Sequence, residues 1–375
     1  MHNQYDIQLQ TGSLQISVSQ ARYPLSELLT FGARQNPKRR YLFISKVLGK
    51  YVPCKPSQMR QSYRALVEQL EPESLEDTWV LGVAETATGL GAGVAQELAR
   101  ARHSEVLYSH TTRCSLACEV AFSIVEAHSH APSHLIYALD SHAQREAIQS
   151  VIVVDDEIST GRTVSQLTEQ LTNYLPNLKR VVWSSLVNWL SAPQREAYCA
   201  QHAGIELVFN SLLDGGYQFT DDPNCAPSLP EHTASGISKV GNRPDTGRIG
   251  HQLSANTAAT FETPEGEPFS CATLDPQLCY TVIGTGEFIY QPFLFAESLE
   301  RRGIDVLFQS TGRSPIYEGV GISRKESFYD EAQQASYYLY NQPYDRSAIL
   351  LYESREHYEN CPLRQQLGAQ CAILA

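Results

Sequence analysis

One segment constrains the fold of this chain more than any other: residues 151–167, with the sequence VIVVDDEISTGRTVSQL. Its first four residues are apolar and β-branched, as is typical of a strand buried on both faces of a parallel sheet. Two aspartates follow the strand, and a short loop containing Gly161 leads into a helix. The segment therefore predicts an open α/β sheet, in which ligands bind at the carboxyl ends of the strands.

The rest of the chain extends this pattern into two α/β units. The first 20 residues predict a hairpin, and residues 214–272 are rich in Gly, Pro, Ser, Thr and Asn, which indicates an irregular connector. We therefore expect a first domain at 1–213, a connector at 214–272 and a smaller α/β domain at 273–375. The predicted strands lie at 79–84, 135–139, 151–154, 181–187 and 205–209, then at 280–283, 306–309 and 348–352, with helices ending near 102, 174 and 302; residues 109–134 predict a long polar loop.

Composition excludes several classes of protein. The net charge of -12 argues against a general coating of nucleic acid. No apolar run approaches the roughly 20 residues that span a bilayer, and no secretory signal pattern opens the sequence. Nine scattered cysteines fit free thiols in a reducing compartment, so we expect a soluble, cytoplasmic protein. Residues 34–64 reverse the overall charge, with nine Lys or Arg and no Asp or Glu. This basic stretch fits either phosphate binding or a solvated face.

The two aspartates after this strand and the loop that follows them have the chemistry of a ribose-phosphate site. Asp155 and Asp156 can accept hydrogen bonds from two ribose hydroxyls. A phosphate can bind at the helix N-terminus, where Gly161 lets the backbone approach closely. The alternative is a buried strand followed by a capped helix, but one capping side chain suffices for that purpose. The residues assigned to the ribose and its phosphate are Asp155, Asp156, Ser159, Thr160, Gly161, Arg162 and Thr163.

This segment resembles the signature for 5-phosphoribosyl 1-diphosphate (PRPP) in type I phosphoribosyltransferases. In that family the acidic pair contacts the ribose 2- and 3-hydroxyls and the loop holds the 5-phosphate. Arg162 stands where many members have Gly and adds a cation beside the phosphate. The resemblance implies the type I fold, a mainly parallel sheet flanked by helices, with Asp155 and Asp156 at the catalytic site. It also implies a nitrogen acceptor, Mg²⁺ bound mainly through PRPP, and a possible homodimer.

The same resemblance implies functional roles for two further loops. The pyrophosphate would bind a loop after the strand at 79–84, although a simple strand–helix turn is the alternative. A hood would close over PRPP and exclude water, and its histidines offer either catalysis, metal binding or plain solvation. The pyrophosphate loop comprises Glu85, Thr86, Ala87, Thr88 and Gly89, and the hood residues are Thr112, Arg113, His128 and His130.

Several segments together resemble one subfamily, the phosphoribosyltransferases with a C-terminal TRSP domain of bacterial tellurite-resistance and stress operons. These segments are FGARQNPKRRYLFISKVLGKYVP, TATGLGAG, YSHTTR, EAHSHAPSH, VVDDEISTGRT and QSTGRSPI. The domain is named for a Thr-Arg-Ser-Pro motif, and Gly312 stands here at the position of the named Thr. The resemblance implies synthesis of a nucleoside-like metabolite whose identity it does not give.

The C-terminal unit has a candidate site of its own. A loop after the strand at 280–283 opens a helix, and an Arg-Ser pair follows the next strand, so both loops are expected at one sheet edge. Turn glycines with a structural arginine are the alternative, because a single GxG is a weak signal. The expected residues are Gly284, Thr285, Gly286, Glu287, Arg313 and Ser314. We expect this to be an anion site separate from the PRPP site.

The favoured function is transfer of ribose 5-phosphate from PRPP to a base-like nitrogen acceptor, or the reverse reaction. A PRPP-binding regulator without turnover is the alternative, and the pyrophosphate loop and hood favour the enzyme. An RNA- or partner-binding module is disfavoured by sparse aromatic–basic interleaving and by the acidic balance. The sequence does not identify the acceptor.

Overall fold

The computed structural model describes residues 3–71, 75, 77–125, 133–231, 242–331 and 333–375. In the first part of the chain the elements are β1 (Asn3–Leu9), β2 (Gly12–Ala21), α1 (Leu25–Leu28), β3 (Leu29–Ala33), β4 (Tyr41–Ser45), α2 (Pro56–Val67), β5 (Thr78–Gly82), α3 (Ala87–Arg102), β6 (Val106–His110), β7 (Val120–Val125), β8 (Ser133–Tyr137), α4 (His142–Ala147), β9 (Ser150–Ile158), α5 (Arg162–Tyr174), β10 (Arg180–Asn188), α6 (Ala192–Gln201) and β11 (Glu206–Asp221).

The second part begins with a 3₁₀ turn. Its elements are the turn Pro244–Thr246, β12 (His251–Leu253), β13 (Phe261–Glu262), β14 (Pro268–Phe269), a second 3₁₀ turn (Cys271–Thr273), β15 (Tyr280–Gly284), α7 (Tyr290–Arg301), β16 (Val306–Ser310), β17 (Lys325–Asp330), β18 (Ala335–Tyr340), β19 (Ser347–Tyr352), α8 (Arg355–Asn360), α9 (Leu363–Leu367) and β20 (Gln370–Leu374).

The larger sheet has the order β1-β2-β11-β10-β9-β5-β6-β12, and its strands from β11 to β6 are parallel. Both faces of its centre are covered. Ile152 and Val154 pack in the core cluster that contains α2 and α3, whereas Val151 and Val153 pack with α5. The buried strand thus explains the four consecutive apolar residues. The arrangement confirms the predicted α/β class.

The smaller sheet has the order β14-β13-β20-β19-β15-β16, with parallel pairing from β20 to β16. Helix α7 packs between this sheet and helices α2 and α3. There the rings of Tyr63 and Phe293 lie 5.5 Å apart. The buried Arg60 donates to Glu297 at 2.7 Å and to Glu97 at 3.1 Å. The two units therefore share one continuous core, because the same cluster contains residues of both sheets.

The region expected to be an irregular connector is more structured than its composition suggests. Residues 214–221 continue β11 and pair antiparallel with β2, with a register shift between Asp214 and Gly215. Strand β12 then extends the first sheet, and β13 and β14 extend the second. These strands are short or lie at sheet edges, so they lack the apolar run that marks a buried strand.

Residues 109–134, expected to be one long loop, include β7 and the start of β8, which pair as a hairpin. The hairpin β3–β4 and the hairpin β17–β18 were not predicted. No helix among the described residues is long and apolar enough to cross a membrane.

Candidate active site

A cavity of about 180 Å³ lies at the carboxyl ends of β9 and β5. It is lined by the acidic pair Asp155 and Asp156 and by the loop at residues 159–163. The cavity also receives side chains from the basic stretch and from the C-terminal unit. The residues that the sequence predicts for the ribose and its phosphate therefore surround one space, and residues from elsewhere in the chain complete its walls.

The loop at 159–163 is shaped by Gly161. This residue has φ of +75° and forms the N-cap of α5. A Cβ here would lie 2.7 Å from the ring of Tyr198, whose hydroxyl donates to the Thr160 carbonyl at 2.7 Å. Glycine is therefore required both by the backbone and by the neighbouring ring. The first turn of α5 borders the cavity with Arg162 and Thr163, and the N–H groups of a first helical turn suit an anion.

The three acids at the end of β9 have different surroundings. Asp155 accepts a hydrogen bond from the Asp156 N–H at 2.9 Å. Burial raises the pKa of Asp156, and its hydrogen bond with Asp155 and the charge of Arg39 oppose that rise. Glu157 forms an ion pair with Arg39, although burial still raises its pKa. Glu157 is thus engaged with Arg39, and Asp155 and Asp156 line the cavity beside it.

The basic stretch divides into cavity residues and surface residues. Arg34, Arg39 and Lys50 line the cavity, whereas Lys38 is exposed and Lys46 donates to the Ser26 carbonyl at 2.7 Å. The stretch thus supplies cations both to the cavity and to the surface, and phosphate binding by the first group stays a prediction. The excess of cations in an acidic chain was the signal for the first group.

Lys50 is buried and joins the two units. It forms an ion pair with Glu85 and donates to the Thr311 carbonyl at 2.6 Å and the Gly286 carbonyl at 3.1 Å. Burial lowers the pKa of Lys50, and Glu85 opposes that change. The ammonium group therefore fixes the cavity wall where the C-terminal unit meets the first sheet.

The expected pyrophosphate loop is only partly directed at the cavity. Glu85 and Thr86 line it, and the peptide between Ala84 and Glu85 is cis. Ala87 starts α3 and is fully buried, and the Thr88 hydroxyl donates to the Glu287 carbonyl at 3.0 Å. A Cβ on Gly89 would lie 2.6 Å from the Ile289 side chain. Thr88 and Gly89 of the predicted loop therefore contact the C-terminal unit instead of the cavity.

The loop after β16 borders the same cavity. Arg313 and Ser314 line it together with the acidic pair, and the Arg313 Nε lies 3.7 Å from a Glu85 carboxylate oxygen. The sequence predicted Arg313 and Ser314 in an anion site of their own, whereas the structure places both at the cavity of the acidic pair. The carboxyl end of β16 faces that of β5, an arrangement that depends on packing between units and has no local sequence signal.

The remaining residues of the expected C-terminal site surround a smaller space of about 20 Å³, large enough for about one water molecule. Thr285, Gly286 and Glu287 line it, Arg313 borders both cavities, and Gly284 ends β15. The Glu287 carboxylate accepts from the Thr112 hydroxyl and from the Arg113 N–H at 2.7 Å. These contacts join the C-terminal unit to the first domain.

Glu287 stays charged in this setting. Burial disfavours its charge, but Arg248, His110 and Arg313 outweigh burial and lower the pKa of Glu287 to about 2. Burial lowers the pKa of His110 to about 4. Arg248, itself buried, also pairs with Glu353, with one contact at 3.1 Å. The sequence missed Arg248 as the principal partner of Glu287, since 39 residues separate them.

The predicted hood residues also divide between those that line the main cavity and those that make other contacts. Arg113 lines the main cavity, and its guanidinium lies 3.2 Å from the Nε2 atom of His134. His134 is buried, and its Nδ1 lies 2.8 Å from the Thr111 hydroxyl. His128 and His130 lie outside the described residues. Within the described ranges no group of three His, Cys, Asp or Glu side chains is placed to hold a metal ion.

Residues 28–216 match a family model described as phosphoribosyl transferase, and residues 245–367 match a TRSP domain described as C-terminal to that family. No curated protein sequence matches the chain.

Solved structures with similarity include three phosphoribosyltransferases. The adenine enzyme of Trypanosoma brucei is 14% identical, with 52% of this chain and 79% of that chain covered and a TM-score of 0.37. The orotate enzyme of Aeropyrum pernix is 16% identical, with 47% and 80% covered and a TM-score of 0.29. The adenine enzyme of Thermoanaerobacter pseudethanolicus is 15% identical, with 50% and 95% covered and a TM-score of 0.32.

Proposed function

The chain belongs to the phosphoribosyl transferase family and carries the TRSP domain that follows it, and from this premise we propose that its main cavity binds PRPP and transfers ribose 5-phosphate to a nitrogen acceptor. One observation carries the proposal. Asp155 and Asp156 border the same cavity as the first turn of α5, so a diol and a phosphate can be held together. A helix cap alone does not require this pairing of two acids with an anion site.

The reaction needs positioning and charge stabilisation. A lone pair on the acceptor nitrogen forms a bond to ribose C1 while the bond from C1 to the pyrophosphate oxygen breaks. The bonding electrons leave with the pyrophosphate, and a proton on the acceptor nitrogen is released to solvent. Asp155 and Asp156 orient the ribose, and the cavity cations stabilise the negative charge that grows on the leaving group. No covalent intermediate with the protein is required.

The cavity chemistry also fits Mg²⁺ held mainly by the substrate. Magnesium is commonly bound by one or two carboxylates together with substrate phosphates. Asp155, Asp156 and Glu85 offer carboxylates at the cavity, but the described residues contain no complete metal cage. When bound, the ion would supply positive charge to the pyrophosphate oxygens. The residues of the chain would meanwhile orient the ribose and its 5-phosphate.

The acceptor we propose is a planar, base-like ring. Phe43 and Tyr51 line the cavity beside Leu42, so an aromatic surface is available for such a ring. The same proposal places the product among nucleoside-like metabolites linked to tellurite or other stress responses, and the enzyme in the cytoplasm as a homodimer. All nine cysteines are free thiols, which supports a reducing compartment.

The substitution Asp156→Asn tests the ribose assignment. It keeps the shape of the side chain but removes an anionic acceptor from the ribose diol. We expect PRPP affinity to fall at least about tenfold, since a hydrogen bond to a charged group contributes roughly 1.5–3 kcal/mol. Calorimetry with PRPP and Mg²⁺ measures the change, and the exposed Asp140→Asn is the control. Equal PRPP affinity in the Asp156→Asn protein and the parent would rule out the assignment.

Release of pyrophosphate distinguishes the enzyme from a PRPP-binding regulator. The full chain with PRPP, Mg²⁺ and a panel of nucleobases is expected to release pyrophosphate with at least one acceptor. Tight PRPP binding without release from any member of a broad panel would favour the regulator.

A further inference from the structure

We propose that the loop after β16, residues 311–315, forms the pyrophosphate half of the transferase cavity, with Arg313 binding the leaving group. The inference rests on the proposed function and extends it, because it makes the active site a product of both domains. A family assignment to each domain does not state that they share a site.

The position of the ribose decides where the pyrophosphate must lie. If Asp155 and Asp156 hold the ribose hydroxyls and α5 holds the 5-phosphate, the substituent on C1 points away from α5. Outside α5 and the acidic pair, the loop after β5 forms one polar wall of the cavity, with Glu85 and Thr86. Arg313 lies against this wall, with its Nε 3.7 Å from Glu85. The C-terminal arginine is therefore on the side where pyrophosphate is expected.

The charges at this wall favour an anion. Lys50 and Arg313 both contact Glu85, so two buried cations share one carboxylate. Their side chains are 2% and 8% exposed, and that of Glu85 is 7% exposed. The two cations are thus held in a setting with little water, where their interaction with a bound anion is strong. A pyrophosphate group would supply such an anion.

Contacts within the C-terminal unit hold Arg313 in place. Its Nε donates to the Tyr337 hydroxyl at 2.8 Å, and the guanidinium lies 5.4 Å from that ring centre. Gly312 exchanges backbone hydrogen bonds of 2.9 and 2.8 Å with Tyr338. Tyr337 is thus a positioning residue, and the guanidinium is pre-organised rather than mobile.

Ser314 supplies a second, independent observation. It lines the cavity and is 8% exposed, and its hydroxyl oxygen is buried without a hydrogen-bond partner among the described residues. A buried hydroxyl without a partner is costly. A phosphate oxygen in the cavity would accept its hydrogen bond, so the motif offers a serine donor beside the arginine.

The same geometry explains why Gly312 stands where the domain's named motif has Thr. A Cβ at this position would lie 3.1 Å from the Lys50 Cε atom. Glycine therefore leaves room for the ammonium group that contacts Glu85 and the Thr311 carbonyl.

As the C1–oxygen bond breaks, its electron pair stays on the pyrophosphate, and Arg313 and Ser314 stabilise that charge without transferring a proton.

Binding of separate ligand fragments tests the inference. Calorimetry on the full chain with Mg²⁺ compares PRPP, inorganic pyrophosphate and ribose 5-phosphate for the parent, Arg313→Gln and Ser314→Ala. We expect Arg313→Gln to weaken PRPP and pyrophosphate by roughly tenfold to a hundredfold, and ribose 5-phosphate by less than about twofold. Arg346→Gln, which breaks an ion pair with Asp305 in the same unit, is the matched control and should change none of the three affinities.

The possible results separate this inference from the proposed function. Unchanged pyrophosphate affinity in Arg313→Gln, or an equal loss for ribose 5-phosphate, would overturn the role of Arg313. Failure of ribose 5-phosphate and PRPP to bind the parent protein would instead overturn the proposed function. If thermal melting shows that Arg313→Gln does not fold, Ser314→Ala decides. A severalfold loss confined to PRPP and pyrophosphate supports the pyrophosphate wall, and no loss contradicts it.

Discussion

At the scale of single residues, the charged side chains divide between ligand binding and domain joining in a way that sequence alone does not resolve. Asp155 and Asp156 were predicted because they adjoin a buried strand and a glycine loop. Glu287 was predicted as a ligand residue by the same kind of reasoning, yet its carboxylate pairs with Arg248 and Thr112. The difference lies in partners that are distant in the chain, so a local motif cannot show it.

Glu287 leads to a prediction about acid stability. Its pKa in the folded protein is about 2, against an ordinary 4.5. A lowered carboxyl pKa stabilises the folded state above pH 4.5, and that contribution is lost as the pH falls toward 2. Glu287→Gln should therefore reduce the free energy of unfolding at pH 7 by an amount on the order of 3 kcal/mol. The difference from the parent should shrink below pH 4.5.

Urea unfolding at pH 7 and at about pH 3 measures this difference, with the exposed Glu359→Gln as the control. Equal destabilisation by Glu287→Gln at both pH values would show that the ionised carboxylate does not stabilise the domain junction.

At the scale of elements, the sequence was most informative where one strand, one loop and one helix are consecutive. Residues 151–167 predicted β9, the loop at 159–163 and α5 together, because the apolar run, the glycine and the start of the helix are adjacent in the sequence. The loop after β5 was less well predicted. It has the same strand–turn–helix form, but Thr88 and Gly89 contact the C-terminal unit instead of the cavity. Local sequence indicates that a turn exists, whereas long-range packing decides what faces it.

Gly161 provides the test at this scale. Gly161→Ala would place a Cβ at a φ of +75° and 2.7 Å from the Tyr198 ring, so the loop must shift. We expect a loss of stability of about 1–2 kcal/mol from the backbone and a loss of PRPP affinity of at least about tenfold from the displaced phosphate loop. Gly303→Ala is the matched control, because Gly303 has φ of +83° with no atom within 4 Å of the added Cβ.

Thermal melting and calorimetry are measured on both glycine variants. The control should lose stability while keeping its PRPP affinity. A Gly161→Ala protein that binds PRPP as tightly as this control would mean that the loop does not hold the 5-phosphate.

At the scale of the whole molecule, the two α/β units were predictable and their arrangement was not. Each sheet contains strands with clear apolar runs, so its existence follows from the sequence. The interface between the two units depends on Lys50, Arg60 and the loop after β16. In several of these contacts the two partners are more than 200 residues apart in the sequence. Because the carboxyl ends of both sheets face the same cavity, the second domain belongs to the active site rather than following it as a separate module.

The most direct test of this account is a crystal structure of the full chain with PRPP and Mg²⁺. The account predicts the ribose hydroxyls against Asp155 and Asp156, and the 5-phosphate at the first turn of α5. The pyrophosphate should lie within hydrogen-bond distance of the Arg313 guanidinium and the Ser314 hydroxyl. PRPP bound with its pyrophosphate directed away from Arg313 would contradict a transferase site built by both domains.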